Sequence, residues 1–159
     1  MGSNNILESF KHAAEGIAEA LKSERNLRIH FLIGGLVLVS SIFLNIPRED
    51  ILWLIFAVFS VIGVELINTL VEGLMDLYSK DYNPMIKFIK DVSAGIVLWY
   101  TLFSIVVGFV VLGKALFGWK ELTGKVFSIA VLLIFPLIMI WEAVRGNATR
   151  RKDKSDDSG

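Results

Sequence analysis

Four polar side chains, Glu65, Asn68, Glu72 and Asp76, interrupt an apolar run that extends from Ile51 to Tyr78. At ~100° per helical residue, their spacings of three, four and four residues place them within ~80° of one another, so three carboxylates and an amide line one stripe of a helix. An ionisable side chain in a bilayer core costs ~2.5 kcal/mol or more, and three on one helix demand a partner, a metal or a water-filled site. That cost favours function. A seam of interhelical hydrogen bonds, the plainer alternative, accounts for a lone Asn68 better than for the whole stripe.

Two interfacial carboxylates, Glu72 and Glu24 from the segment ahead of the first apolar run, can hold a hard divalent cation through oxygen. Mg²⁺ normally arrives with nucleotide phosphates that supply further oxygens. Glu65, a helical turn or two deeper, is desolvated and so suits a general base that takes a proton from a hydroxyl. Lys90 can neutralise phosphate charge. Together these groups match phosphoryl transfer, which asks for positioning, a metal and a base more than for covalent chemistry. The sequence has no Gly-rich phosphate loop ending in Lys-Ser or Lys-Thr and none of the soluble kinase signatures, so this is a different solution to the same problem. His12 and His30 have no second His or Cys at ligand spacing and read as interfacial side chains.

The elements that must position these groups are membrane helices. Of the 159 residues 54% are apolar, and they gather in four runs, about Ile29 to Ile46, Ile51 to Met75, Ala94 to Leu112 and Val126 to Val144. Each is near the ~20 residues that ~30 Å of hydrocarbon requires, and most of their length lacks the polar face of a soluble bundle. The expected fold is therefore all-α and integral to a membrane: an amino-terminal amphipathic interfacial helix and four transmembrane helices. Ile6, Leu7, Phe10, Ala13, Ala14, Ile17, Ala20 and Leu21 recur at spacings of three and four against Glu8, Lys11, Glu15, Glu19 and Lys22, which predicts that first helix in the headgroup plane. The chain divides into residues 1–24 (amphipathic helix), 25–117 (three-span core), 118–144 (an additional span) and 145–159 (a polar tail expected to be disordered).

Lys and Arg together number 16, as do Asp and Glu, so net charge gives no reason to expect a nucleic-acid partner. Twelve of the cations fall before the first span, in the loop from Ser79 to Asp91 or in the tail, whereas Arg48, Lys114, Lys120 and Lys125 fall on the other side. By the positive-inside rule both termini are cytoplasmic. No cysteine is present, which excludes thiolate metal sites and disulfides. The first 28 residues are too polar for a cleavable signal peptide.

Pro47-Arg48-Glu49-Asp50 is a short turn with acids available to cap the next helix, so spans one and two form an antiparallel hairpin. Counted from Ile51 at the outer surface, Glu65 lies ~21 Å inward, roughly 9 Å short of the inner hydrocarbon boundary. Glu72 and Asp76 reach the interface, where a lipid headgroup and a soluble anion meet. Glu24 is close to them in depth; by itself it reads as a solvated acid paired with Arg28, worth only ~0.3 to 0.5 kcal/mol. Asn83-Pro84 marks the loop into span three, where Gly95 and Gly108 permit close helix approach. Trp53, Trp99, Trp119 and Trp141 are belt or packing residues. The fourth run contains Pro136 and no acid until Glu142, and reads as a wall rather than a site. Asn147-Ala148-Thr149 fits a glycosylation acceptor that a cytoplasmic position silences.

The stretch from Glu65 through Asn68, Glu72 and Gly73 to Asp76, followed by Lys90-Asp91-Val92-Ser93-Ala94-Gly95, closely resembles the small bacterial integral-membrane diacylglycerol kinase and undecaprenol kinase family. Phe10-Lys11-His12-Ala13-Ala14-Glu15-Gly16 and Glu24-Arg25-Asn26-Leu27-Arg28-Ile29-His30 are similar to its amino-terminal pattern, and the likeness covers about Ser9 to Leu112. The resemblance implies an ATP-dependent lipid kinase of the bacterial cell membrane, a homotrimer with sites assembled between subunits and Mg²⁺ as cofactor. It implies Glu65 as catalytic base, Glu24 and Glu72 as metal ligands, and Asn68, Lys90 and Asp91 as nucleotide-site residues. It further implies Asp81, Tyr82 and Asn83 as secondary nucleotide contacts, with Asp76 and Arg28 supporting the site. The pattern around Asn83-Pro84 and Lys90 to Gly95 is nearer the Gram-positive branch, which implies undecaprenol rather than diacylglycerol as acceptor. The fourth run departs from the usual three spans.

Two other classes compete. A proton-coupled transporter would use the acids as a relay, although no inverted repeat or broken helix pair is evident. A membrane adaptor would use them as a packing seam, and amides in place of the three acids would then leave function intact.

Overall fold

The computed structural model describes residues 6–79 and 81–156, with side chains up to residue 145. Among these the chain forms five α-helices and no strand: α1 (Ile6–Ser23), α2 (Arg25–Phe43), α3 (Arg48–Tyr78), α4 (Pro84–Phe117) and α5 (Glu121–Asp156). Helices α2 to α5 are each long and apolar enough to span a bilayer, so the chain is an all-helical integral membrane protein. At ~1.5 Å per residue, α3 and α4 are ~46 and ~51 Å long, more than the hydrocarbon core needs, so their polar ends stand clear of it.

The middle of the molecule is α3, which lies between α2 and α4. Its buried side chains are Leu54, Ala57, Val58, Val61, Glu65 and Asn68, a single stripe at spacings of three and four. Gly34 of α2 meets this stripe: a Cβ added there would fall 2.6 Å from Val58 Cγ1, so glycine is what lets α2 and α3 close up. At the end away from Glu65, Ile46, Leu54 and Val111 form a small core, covered by Val37, Leu38, Ile51 and Val107. Most other large apolar side chains, such as Leu32, Phe59 and Leu133, face outward, as lipid-facing residues must.

Local chemistry explains the helix ends. Only Glu24 separates α1 from α2, and Arg28 braces this corner by donating from Nη1 to the Leu21 and Lys22 carbonyls (2.9 and 2.8 Å). Asn83 Oδ1 caps α4, accepting from the Met85 and Ile86 amides (2.8 and 3.4 Å), with Pro84 in the first turn. Gly118 ends α4 in the left-handed region (φ 63°), where a Cβ would be strained. The acids expected to cap α3 make no side-chain capping bond; Glu49 and Asp50 sit in its first turn, and Asp50 pairs with Lys114 at 3.6 Å.

Two further expectations are corrected. Gly95 and Gly108 face open space rather than a neighbouring helix; the close approaches belong to Gly34, Gly113 and Gly124. The segment beyond Val144, expected to be disordered, continues α5 to Asp156. Extending an existing helix avoids the cost of nucleation, and Ala, Arg and Lys are good helix formers. Among the described residues α5 packs against α4 alone, through Phe127 on Phe109 (ring centroids 3.6 Å apart) and Phe135 near Trp99 (6.0 Å). The side chain of Asn147 lies outside the described residues.

Candidate active site

The acids on α3 are graded by depth. Glu65 is 2% exposed, Glu72 is half-buried and Asp76 is exposed. Glu65 has no ion-pair partner among the described residues, and the charged groups near enough to act on it are Glu24 and Glu72. Glu65 and Glu72 of α3 and Glu24, between α1 and α2, therefore share one neighbourhood. The contact of Gly34 with Val58 fixes the α2–α3 register, and counting back from it brings the start of α2, with Glu24 as its N-cap, alongside Glu65 and Asn68. The Glu24 carboxylate makes no capping bond to its own helix.

Asn68 ties α3 to α4. Its Nδ2 donates to Glu72 Oε1 (3.0 Å), and its Oδ1 accepts from Ser93 Oγ (2.6 Å). Ser93 is itself buried, and its hydroxyl also lies 3.0 Å from the Lys90 carbonyl. A buried amide satisfied at both ends cannot turn without leaving a polar atom unpaired, which costs about 1–3 kcal/mol, so Asn68 fixes the Glu72 carboxylate. Lys90 Nζ pairs with Asp76 across the α3–α4 seam. This places a cation at the end of the stripe nearest the α3–α4 loop, one turn past Glu72.

The remaining expected residues divide. Lys90 and Asp91 are neighbours in sequence but face different ways: Lys90 turns to α3, whereas Asp91 pairs with Lys87 one turn back on α4. Asn83 has its side-chain oxygen committed to capping α4, and Tyr82 is 81% exposed. The Asp81 amide is held by Ser79 Oγ (3.1 Å). Arg28 braces the α1–α2 corner through backbone carbonyls and supports the placement of Glu24 in that way, not as its ion-pair partner. Ser93 is the residue that composition and acid spacing overlooked. Its signal was present in the three-residue spacing from Lys90, which puts both on the α4 face toward α3.

No set of three His, Asp or Glu side chains converges on a metal position among the described residues. Glu24 and Glu72 offer two hard oxygen donors, which fits Mg²⁺: it keeps several waters and takes phosphate oxygens rather than an all-protein cage.

Residues 11–112 match the family model of prokaryotic diacylglycerol kinase. The undecaprenol kinase of Bacillus subtilis is 28% identical over 108 residues, covering 68% of this chain and 88% of that protein. A diacylglycerol kinase of Synechocystis is 32% identical over 105 residues, covering 65% of this chain and 60% of its own length. The matched segment takes in Glu24, the whole stripe on α3 and the Lys90–Ser93 turn of α4. The chain thus belongs to the prokaryotic diacylglycerol kinase family and is a membrane-embedded, ATP-using lipid kinase.

Proposed function

We propose that this protein transfers the γ-phosphoryl group of ATP to undecaprenol, giving undecaprenyl phosphate and ADP. The observation that carries this reading is the buried Glu65 with Glu24 and Glu72 as its charged neighbours. Glu65 is the general base. The acceptor hydroxyl oxygen attacks the γ-phosphorus, its proton passes to the Glu65 carboxylate, and the bond from the γ-phosphorus to the β–γ bridging oxygen breaks, so that ADP leaves with the electron pair. Glu24 and Glu72 hold Mg²⁺, which supplies charge neutralisation on the phosphates. Asn68 and Ser93 orient Glu72, and Lys90 exchanges Asp76 for nucleotide phosphate. Asp91, Asp81, Tyr82 and Asn83 form the outer, nucleotide-facing rim.

Undecaprenol is favoured over diacylglycerol by the sequence pattern from Asn83 to Gly95 and by coverage, 88% of the undecaprenol kinase against 60% of the diacylglycerol kinase. The higher identity to the latter, 32% against 28%, keeps diacylglycerol as the second reading. Residues 25–117 form the kinase core and 118–144 an added span. The active form is a homotrimer with both termini cytoplasmic.

Purified protein in mixed micelles with Mg²⁺ and radiolabelled ATP, offered undecaprenol and diacylglycerol side by side, tests the assignment. Faster initial transfer to undecaprenol is expected, and Glu65→Gln abolishes it without loss of folded protein. Faster transfer to diacylglycerol selects the second reading, and an active Glu65→Gln protein removes Glu65 as base.

A further inference from the structure

The end of the bundle remote from Glu65 holds a second polar centre. Asp50 in the first turn of α3, Lys114 in the last turn of α4, and Lys120, Glu121 and Lys125 around the start of α5 line one open cavity of about 600 Å³. That volume lies within the ~300–1,000 Å³ of small-molecule sites. Lys114 is ~32 Å along α4 from Ser93, so a full hydrocarbon thickness separates this centre from the candidate active site.

Packing of the fourth span creates the cavity. Among the described residues α3 and α5 both pack on α4 but not on each other, which leaves a cleft between them with α4 as its floor. Gly124 seats α5 there: a Cβ added to it would lie 3.3 Å from Val110 Cγ1. Val110, Trp119 and Ile129 give the cleft an apolar wall, and the charged groups stand at its rim. Asp50 directly precedes the apolar run that begins at Ile51, Lys114 follows the one that ends at Leu112, and Lys125 directly precedes the one that begins at Val126. They therefore share one hydrocarbon boundary, level with lipid headgroups.

The charges at this rim do not balance. Lys125 Nζ pairs with Glu121 (2.7 Å), and Lys114 Nζ pairs with Asp50 at 3.6 Å, too far for a hydrogen bond. Lys120 has no acidic partner among the described residues, so three ammonium groups face two carboxylates around one cavity. The Ser128 hydroxyl is spent on the Gly124 carbonyl (2.9 Å), which leaves the lysines as the free side-chain donors.

We propose that this cleft binds an anionic phospholipid of the leaflet opposite the candidate active site, its headgroup phosphate among Lys114, Lys120 and Lys125 and an acyl chain along Val110 and Ile129. The two-part lining selects the occupant. A soluble anion would use the lysines and leave the apolar wall to water, whereas a lipid covers both. The excess positive charge favours a lipid of net negative charge over a zwitterionic one. Because its contacts come from both sides of the gap between α3 and α5, the lipid ties the fourth span to the rest of the bundle. Binding here is independent of the kinase reading and of its acceptor.

The test is photolabelling of the full-length chain, in neutral-detergent micelles, by phosphatidylglycerol carrying a diazirine on an acyl chain, with adducts mapped by peptide mass spectrometry. Adducts are expected within residues 110–129, and unlabelled phosphatidylglycerol should displace the probe there at concentrations at least about fivefold below phosphatidylcholine, the scale of one lysine at an anionic lipid. Lys120→Gln is expected to weaken binding of the probe about fivefold and Lys120→Arg to keep it. Glu121→Gln, which releases Lys125, should tighten it severalfold. Both positions are exposed, and opposite signs from adjacent substitutions do not arise from misfolding. The proposal is overturned if no adduct falls within 110–129, if the two lipids compete equally, or if Lys120→Gln or Glu121→Gln fails to shift binding in its stated direction. Displacement of the probe by inorganic phosphate also overturns it and assigns the cleft to a soluble anion.

Discussion

Replacing Ser93 by alanine removes one buried hydroxyl, and its effect follows from what that hydroxyl holds. Ser93 Oγ donates to Asn68 Oδ1 at 2.6 Å, and Asn68 Nδ2 donates to Glu72 Oε1 at 3.0 Å. Without the serine the amide keeps one anchor and its oxygen is left buried without that donor. Interhelical hydrogen bonds in membranes contribute ~0.6 kcal/mol on average and at most ~1.7, so the fold survives with a small loss of stability. On the role proposed for Glu72 the functional loss is larger, because removing a group that orients a metal ligand typically costs ~10–100-fold in metal affinity or activity. The assay is a Mg²⁺ titration of ATP-dependent phosphorylation of the acceptor lipid. Ser93→Ala is expected to move half-maximal activity to Mg²⁺ concentrations at least about tenfold higher. Ser93→Thr, which keeps a hydroxyl, restores most of the shift. A titration curve that Ser93→Ala leaves in place, in protein whose thermal unfolding is little changed, would refute the coupling from Ser93 through Asn68 to Glu72.

Lys90→Ala removes an ion pair whose Asp76 partner is mostly exposed, and such pairs contribute ~0–1 kcal/mol, so unfolding should hardly respond. The KM for ATP should nevertheless rise severalfold; equal effects on stability and KM would reduce Lys90 to a structural role. Gly34→Ala drives a methyl to within 2.6 Å of Val58, and overpacking of this kind costs ~1–3 kcal/mol. Thermal unfolding in micelles should show that loss, and pairing it with Val58→Ala should recover part of it. Additive losses in the double variant would contradict the α2–α3 register.

Hydropathy and helical spacing are local properties, and they were enough to define the four spans, the amphipathic α1 and the shared face of Glu65, Asn68, Glu72 and Asp76. Burial of Glu65, by contrast, follows from the face of α3 on which neighbouring helices pack. What no local pattern carries is which residues from distant segments meet. Gly34 rather than Gly95 or Gly108 makes the close approach because interhelical register, not glycine itself, decides where a Cβ is excluded. The 25-residue separation of Asn68 and Ser93 hid a hydrogen bond that only the packing of α3 on α4 creates. Arg28 and Asn83, polar residues next to a catalytic pattern, are both engaged by helix ends, whose unpaired carbonyls and amides demand partners wherever a chain turns. The fourth span carries no chemistry in its sequence. Its contribution depends on where the α4–α5 turn sets Lys120 and Lys125, since lysines apart in sequence can share one anion only when packing gathers them around one cavity.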